Sequence, residues 1–171
     1  IGRPDAAIIY AVDAALNDGR LPYKWRVFLL MGEIYQAQSE SDRARKHVLL
    51  AAKLRQEAGW QLPPELRGAI DELEVNVNKE ISATALHQEL QEDWRAFKLS
   101  RLPQMQGRVV AIKGHFGFIN GDDGKPYYFK LESFQGQEER LQTGLEVAFY
   151  IKRNPDPEQR DIAIDITEVE E

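Results

Sequence analysis

The sequence contains no cysteine. That excludes disulfide staples, thiolate metal ligands and cysteine nucleophiles together. It also fits a reducing compartment, and a cytoplasmic protein is the expectation. Long apolar runs are missing as well. No stretch approaches the roughly 20 residues of a bilayer-spanning helix, so no membrane partner is expected. Net positive charge is absent: 22 Lys and Arg stand against 28 Asp and Glu, a formal charge of -6. Proteins that wrap duplex DNA through counterion release are ordinarily basic, so only a small local site suits this balance. Histidine is scarce. His47, His87 and His115 fall in different stretches without paired spacing, and no metal site is expected. No Ser/His/Asp set has a strand-turn-helix context, and Asp71, Glu72 and Glu74 read as a solvated helix face. No catalytic residue or cofactor is expected, and the chain reads as non-enzymatic.

What is present is a globular composition of 171 residues, 43% hydrophobic and 29% charged, enough for one ordinary domain or two small ones. The sequence opens on Ile1, with neither an initiator Met nor a signal peptide. A piece of a longer chain is the expectation, and the remainder could hold the main activity.

Two apolar periods divide the chain. Up to Leu99 the period is helical. Helices are predicted over Asp5–Leu16, ended by Asp18-Gly19, over Lys24–Gln38, over Ser41–Gly59, from Pro63-Pro64 toward Val77, and over Ala85–Leu99 behind a Ser82 cap. The short "SES" connection makes the second and third antiparallel. "SRLPQMQ" (Ser100–Gln106) breaks the period. Beyond it the period is two, in "RVVAIK", "HFGFIN", "YYFKLE", "EVAFYIK" and "DIAIDIT". These five short strands, separated by Gly, Asp, Asn and Pro clusters, predict a small closed barrel. The fold class is therefore α+β and multidomain: a helical domain over 1–99, a linker over 100–105 and a β-barrel over 106–171.

Strand alternation sorts the aromatics of "GHFGFINGDDGKPYYFK" (Gly114–Lys130). If Ile119 faces the interior, Phe116 and Phe118 face outward, Tyr127 and Phe129 inward, and Tyr128 and Lys130 outward. Antiparallel pairing then gathers Phe116, Phe118 and Tyr128 into one exposed patch beside Lys130. Gly117 is expected to keep the backbone open between the two phenylalanines. Exposed aromatic faces beside a cation suit single-stranded nucleic acid, whose bases stack on rings while Lys contacts phosphate.

On these residues the segment from Gln106 to Val169 resembles a cold-shock domain, a five-stranded member of the OB-fold class. "GRVVAIK" matches the family's Gly-initiated first strand, and "HFGFI" its Gly-Phe-Gly-Phe-Ile core with His115 in place of the first Gly. "YYFK" matches its Val-Phe-Val-His strand, "LQTGLEVAFYI" its Leu-x-x-Gly-x-x-Val-x-Phe segment, and "IAIDI" its closing strand. The resemblance implies an antiparallel barrel that binds single-stranded RNA or DNA through Phe116, Phe118, Tyr128 and Lys130. Lys113 is a further expected phosphate contact and His115 a further stacking surface. The family's first-strand Trp falls on Ala111, the first loop is about two residues shorter, and Lys130 replaces a His. A smaller and weaker binding surface follows.

In the helical half, Phe28, Met31, Gly32, Tyr35, Ala44, Val48 and Ala51 resemble one tetratricopeptide repeat, with Gly32 and Ala44 allowing close helix approach. A generic antiparallel hairpin has the same requirement. This half is expected to bind a protein partner or the rest of a longer chain. Architectures of this kind, a cold-shock-like barrel joined to helical repeats, occur in bacterial proteins.

"GDDGK" (Gly121–Lys125) lacks both the Walker pattern and EF-hand spacing and reads as a hairpin turn. Arg43, Arg45, Lys46, Lys53 and Arg55 share one helix, read as a solvated face rather than a nucleic-acid track. Trp25, Trp60 and Trp94 read as packing residues. The competing reading of the barrel is a protein-contact module with its aromatics buried in an interface, either in a scaffold or in an accessory domain of a larger enzyme.

Overall fold

The computed structural model describes residues 4–17 and 21–170. They form two compact units divided between Lys98 and Leu99. The first is helical: α1 (Pro4–Leu16), α2 (Trp25–Ala37), α3 (Ser41–Glu57), α4 (Pro64–Glu72) and α5 (Ala83–Ser100). The expected end signal Asp18-Gly19 lies outside the described residues. Three residues separate α2 from α3, which pack as an antiparallel hairpin. Gly32 lies at their contact, where a Cβ would come within 2.6 Å of Val48 Cγ2 and 3.3 Å of the Ala44 carbonyl oxygen. The close approach read from Gly32 is therefore a real packing constraint.

Helix ends explain where the predicted boundaries shift. α4 stops at Glu72 rather than running on to Val77, because Glu74 adopts φ 53° and the Val75 N–H turns back to the Ile70 carbonyl. Ser39 (φ 62°) ends α2 in the same way, and Gly59 (φ 73°) ends α3. Each places a left-handed residue just past the last turn, satisfying carbonyls left without helical partners. Only Gly59 announces this in the sequence. The Ser82 hydroxyl accepts from the Ala85 N–H at 3.1 Å, the cap expected there.

The second unit holds β1 (Gln104–Lys113), β2 (Phe116–Gly121), β3 (Pro126–Lys130), β4 (Glu146–Lys152) and β5 (Ile162–Glu168). They close into a barrel in the order β1-β2-β3-β5-β4, a five-stranded arrangement of the OB type. The all-antiparallel expectation fails at one seam, where β3 and β5 run parallel through Tyr128 and Ile162. The reason is parity: directions can alternate all the way round a closed ring only if the strand number is even. β1 starts earlier than expected, because Gln104 and Met105 pair with Tyr150 and Phe149. Val109, Ile119, Phe129, Val147, Phe149 and Ile166 fill the interior, each at most 1% exposed. Burying side chains of this size contributes roughly 1.5–3 kcal/mol apiece.

Candidate nucleic-acid interface

The β2–β3 hairpin orients the candidate site. Its turn is the "GDDGK" segment, with Gly124 at φ 76°. Asp123 organises it, accepting from the Lys125 N–H at 3.0 Å and from the Tyr127 hydroxyl at 2.6 Å. The Tyr127 bond holds the Asp123 carboxyl below its usual range. Burial, aided by Asp123, pushes the Tyr127 phenol up to about 12. The segment is a hairpin turn, and the Asp123 carboxylate serves the fold.

From this turn the register runs Ile119 opposite Tyr127, Phe118 opposite Tyr128, Gly117 opposite Phe129 and Phe116 opposite Lys130. Ile119, Tyr127 and Phe129 are buried, while Phe116, Phe118 and Tyr128 are half-buried on the outer face. Strand alternation about a buried Ile119 accounts for this sorting. Gly117 has a different role from the one expected. It faces inward, where a Cβ would lie 2.6 Å from the Phe129 ring and 2.5 Å from the Ala111 carbonyl oxygen.

The three outer rings touch one another. Phe116 and Phe118 meet edge-on at 5.8 Å, Phe116 and Tyr128 are tilted at 5.6 Å, and Phe118 meets Tyr128 edge-on at 6.1 Å. Such contacts stabilise the cluster by about 0.5–1.5 kcal/mol per pair. They also cover part of each ring, which lowers the cost of leaving the patch in water.

Lys113 and Lys130 flank Phe116 in one cross-strand row, on β1 and β3. Both are exposed, and Glu132 lies 4.0 Å from Lys130. At that distance and exposure a pair is worth little, so the ammonium remains available to a stronger anion. Arg108, by contrast, is held by Glu146 at 2.6 Å. His115 sits in the two-residue β1–β2 turn beside Gly114 (φ 59°), its carbonyl accepting from the Leu131 N–H. Its side chain is exposed and lines an open groove of about 630 Å³ with Phe116, Tyr128 and Lys130.

Two features escaped sequence reasoning. One is a β-bulge at Val110, where the β1–β2 register steps from Val109–Ile119 to Ala111–Phe118. The extra residue turns Ala111 to the outer face beside Phe118 and Ile112 to the core. The outer row then reads Ala111, Phe118, Tyr128, Ile162 across four strands. The other is Arg160, whose guanidinium carbon lies 4.6 Å from the Phe118 ring centroid. It comes from "NPDPEQR", read only as a separator between strands. The signal was the fold class itself, since barrels of this type use the β4–β5 loop for ligands.

Four of the five basic residues of α3 are engaged locally. Arg43 pairs with Glu40, Arg45 with Asp42 and the Leu73 carbonyl, and Lys46 with Glu89. Arg55 stacks on Trp25 and Trp60. His47 and His87 converge on Trp94 in the helical core. Trp94 donates to His47 Nε2 at 2.9 Å, so the His47 proton sits on Nδ1, which donates to the Arg43 carbonyl at 2.7 Å. Burial lowers the His47 pKa to about 4. Among the described residues no group of His, Asp and Glu is placed to hold a metal, and no helix is long and apolar enough to cross a membrane.

No family model and no curated protein matches the chain. Among solved structures, the chain is similar to Drosophila Unr CSD456, with 23% identity, 44% of this chain covered and a TM-score of 0.36. The match spans 31% of that chain, so the two share only part of their lengths.

Proposed function

We propose that the barrel is a cold-shock-like module that binds single-stranded RNA or DNA, and that the helical half is a tetratricopeptide-like protein-interaction module. The observation that carries this reading is the triad of Phe116, Phe118 and Tyr128. These rings are half-exposed, in mutual contact and bordered by Lys113, Lys130 and Arg160. Bases stack on aromatic faces for about 1–3 kcal/mol each, with tolerance for sequence, while the cations meet phosphates. Local cation placement allows this despite the overall negative charge, because binding depends on the field at the site. The small side chain of Ala111 narrows the stacking surface to three rings, and modest affinity follows. The action is binding without catalysis.

The test is fluorescence-anisotropy titration of short mixed-sequence RNA and DNA strands at low and physiological salt. Wild type is compared with Phe116→Ala/Phe118→Ala, its fold verified by circular dichroism. Salt-sensitive binding that the double variant loses is the expected result. Absence of binding at low salt would instead assign the patch to a protein interface.

A further inference from the structure

Arg160 stands near the end of the loop between β4 and β5. The segment from Arg153 to Asp161, which joins β4 to β5, is tied together by its own polar groups. The Asn154 N–H donates to Asp161 Oδ1 and the Asn154 side chain donates to the Arg160 carbonyl, both at 3.0 Å. The amides of Asp156 and Glu158 donate to the side chains of Asn154 and Asp156. The Asp161 carbonyl accepts from the Tyr128 N–H at 3.0 Å, which fastens the end of the loop to the aromatic strand. Pro155 and Pro157 fix two further backbone angles. The base of Arg160 is therefore anchored, and its exposed side chain is the part left to move. Among the described residues no carboxylate lies within ion-pair distance of its guanidinium.

That guanidinium occupies the position over Phe118 that a stacked base would take. A base can use this ring only by displacing the cation or by sliding beneath it. We propose that Arg160 is the second jaw of a stacking slot, in which one nucleobase lies flat between the Phe118 ring and the guanidinium plane. The inference rests on the single-strand reading above and adds a role for the β4–β5 loop. Arginine suits it as lysine does not, since a planar, delocalised cation offers a face to a base as well as charge to a phosphate. The anchored loop keeps the jaw in register with Phe118, so closing the slot orders one side chain and no backbone.

The experiment compares wild type, Arg160→Lys and Arg160→Gln on labelled single-stranded DNA nonamers carrying 2-aminopurine, whose fluorescence falls when the base is stacked. Both variants are expected to bind about five- to tenfold more weakly at physiological salt and to lose part of the quenching. Only Arg160→Gln should lower the salt slope. Wild-type affinity in Arg160→Lys would overturn the slot and leave a phosphate contact. Tighter binding by Arg160→Gln would overturn it in favour of a lid. If wild type binds no single strand, or Phe116→Ala/Phe118→Ala binds as well as wild type, the reading of the face falls and the slot falls with it.

Discussion

The ring of Phe129 occupies the space that a side chain on Gly117 would need. Phe129 is fully buried, and the second obstruction is the backbone carbonyl of Ala111, so neither neighbour can yield cheaply. Gly117→Ala is therefore expected to destabilise the barrel by about 1–3 kcal/mol, the usual cost of overpacking. Amide NMR spectra along a urea series would measure it, since barrel signals should shift to lower denaturant while helical ones stay. Unchanged barrel midpoints would remove the packing role.

Neighbouring residues on β3 should separate binding from folding. Tyr128→Ala is expected to leave the barrel folded and to weaken single-strand binding about tenfold, the loss of one stacked base. Phe129→Ala should cost roughly 3–5 kcal/mol of stability, because it empties a filled core position. Thermal melts read beside binding titrations distinguish the two.

The lysine row predicts a salt signature. Lys113→Gln and Lys130→Gln should each flatten the plot of log affinity against log salt by about 0.7, the value for one phosphate contact on a single strand. Their effect should be uniform across base sequences, because phosphates carry no sequence information. A loss confined to certain sequences would contradict phosphate contact.

His47 predicts how acid acts on the helical unit. Its folded pKa is lowered to about 4 from an ordinary 6.5, through burial first, with the hydrogen bond to the Arg43 carbonyl and the Asp93 charge opposing and the Arg43 and Lys46 charges assisting. Between those values the unfolded chain takes up a proton that the folded chain refuses, so stability falls as pH falls. Above about 6.5 the group is neutral in both states, and below about 4 the loss levels off. The span corresponds to roughly 3 kcal/mol. His87, also lowered by burial, acts in the same direction. Urea midpoints from tryptophan fluorescence should show a shallower loss in His47→Gln, which can still accept from Trp94. All three tryptophans lie in the helical half, so the signal reports that unit.

Strong periodicities were legible because a single physical rule governs them. Phe116 and Phe118 had to share a face, and Tyr127 and Phe129 the opposite one, once Ile119 was buried. Exceptions to a rule were not legible. Ser39 and Glu74 end helices in a conformation that glycine usually marks, and nothing in their identity signals it. The extra residue at Val110 looks like any other valine until its partners are known. Arg160 reaches Phe118 from 42 residues along the chain, a contact created by barrel closure, and so it left no local pattern. The Gly117 reading erred because it considered the surface the residue leaves open and not the core it faces.

The parallel seam has a last consequence. β3 and β5 meet through one register pair and the Tyr128–Asp161 hydrogen bond, with the Phe134–Ile166 bridge beyond, whereas every other seam is a ladder. The ring of hydrogen bonds is thinnest where Tyr128 stands. A strand lying across Phe118 and Tyr128, gripped from the β5 side by Arg160, would stitch the barrel shut at that point. Occupancy would then register as slower hydrogen exchange at the Tyr128 amide, a signal from the wall of the barrel that needs no label on the ligand.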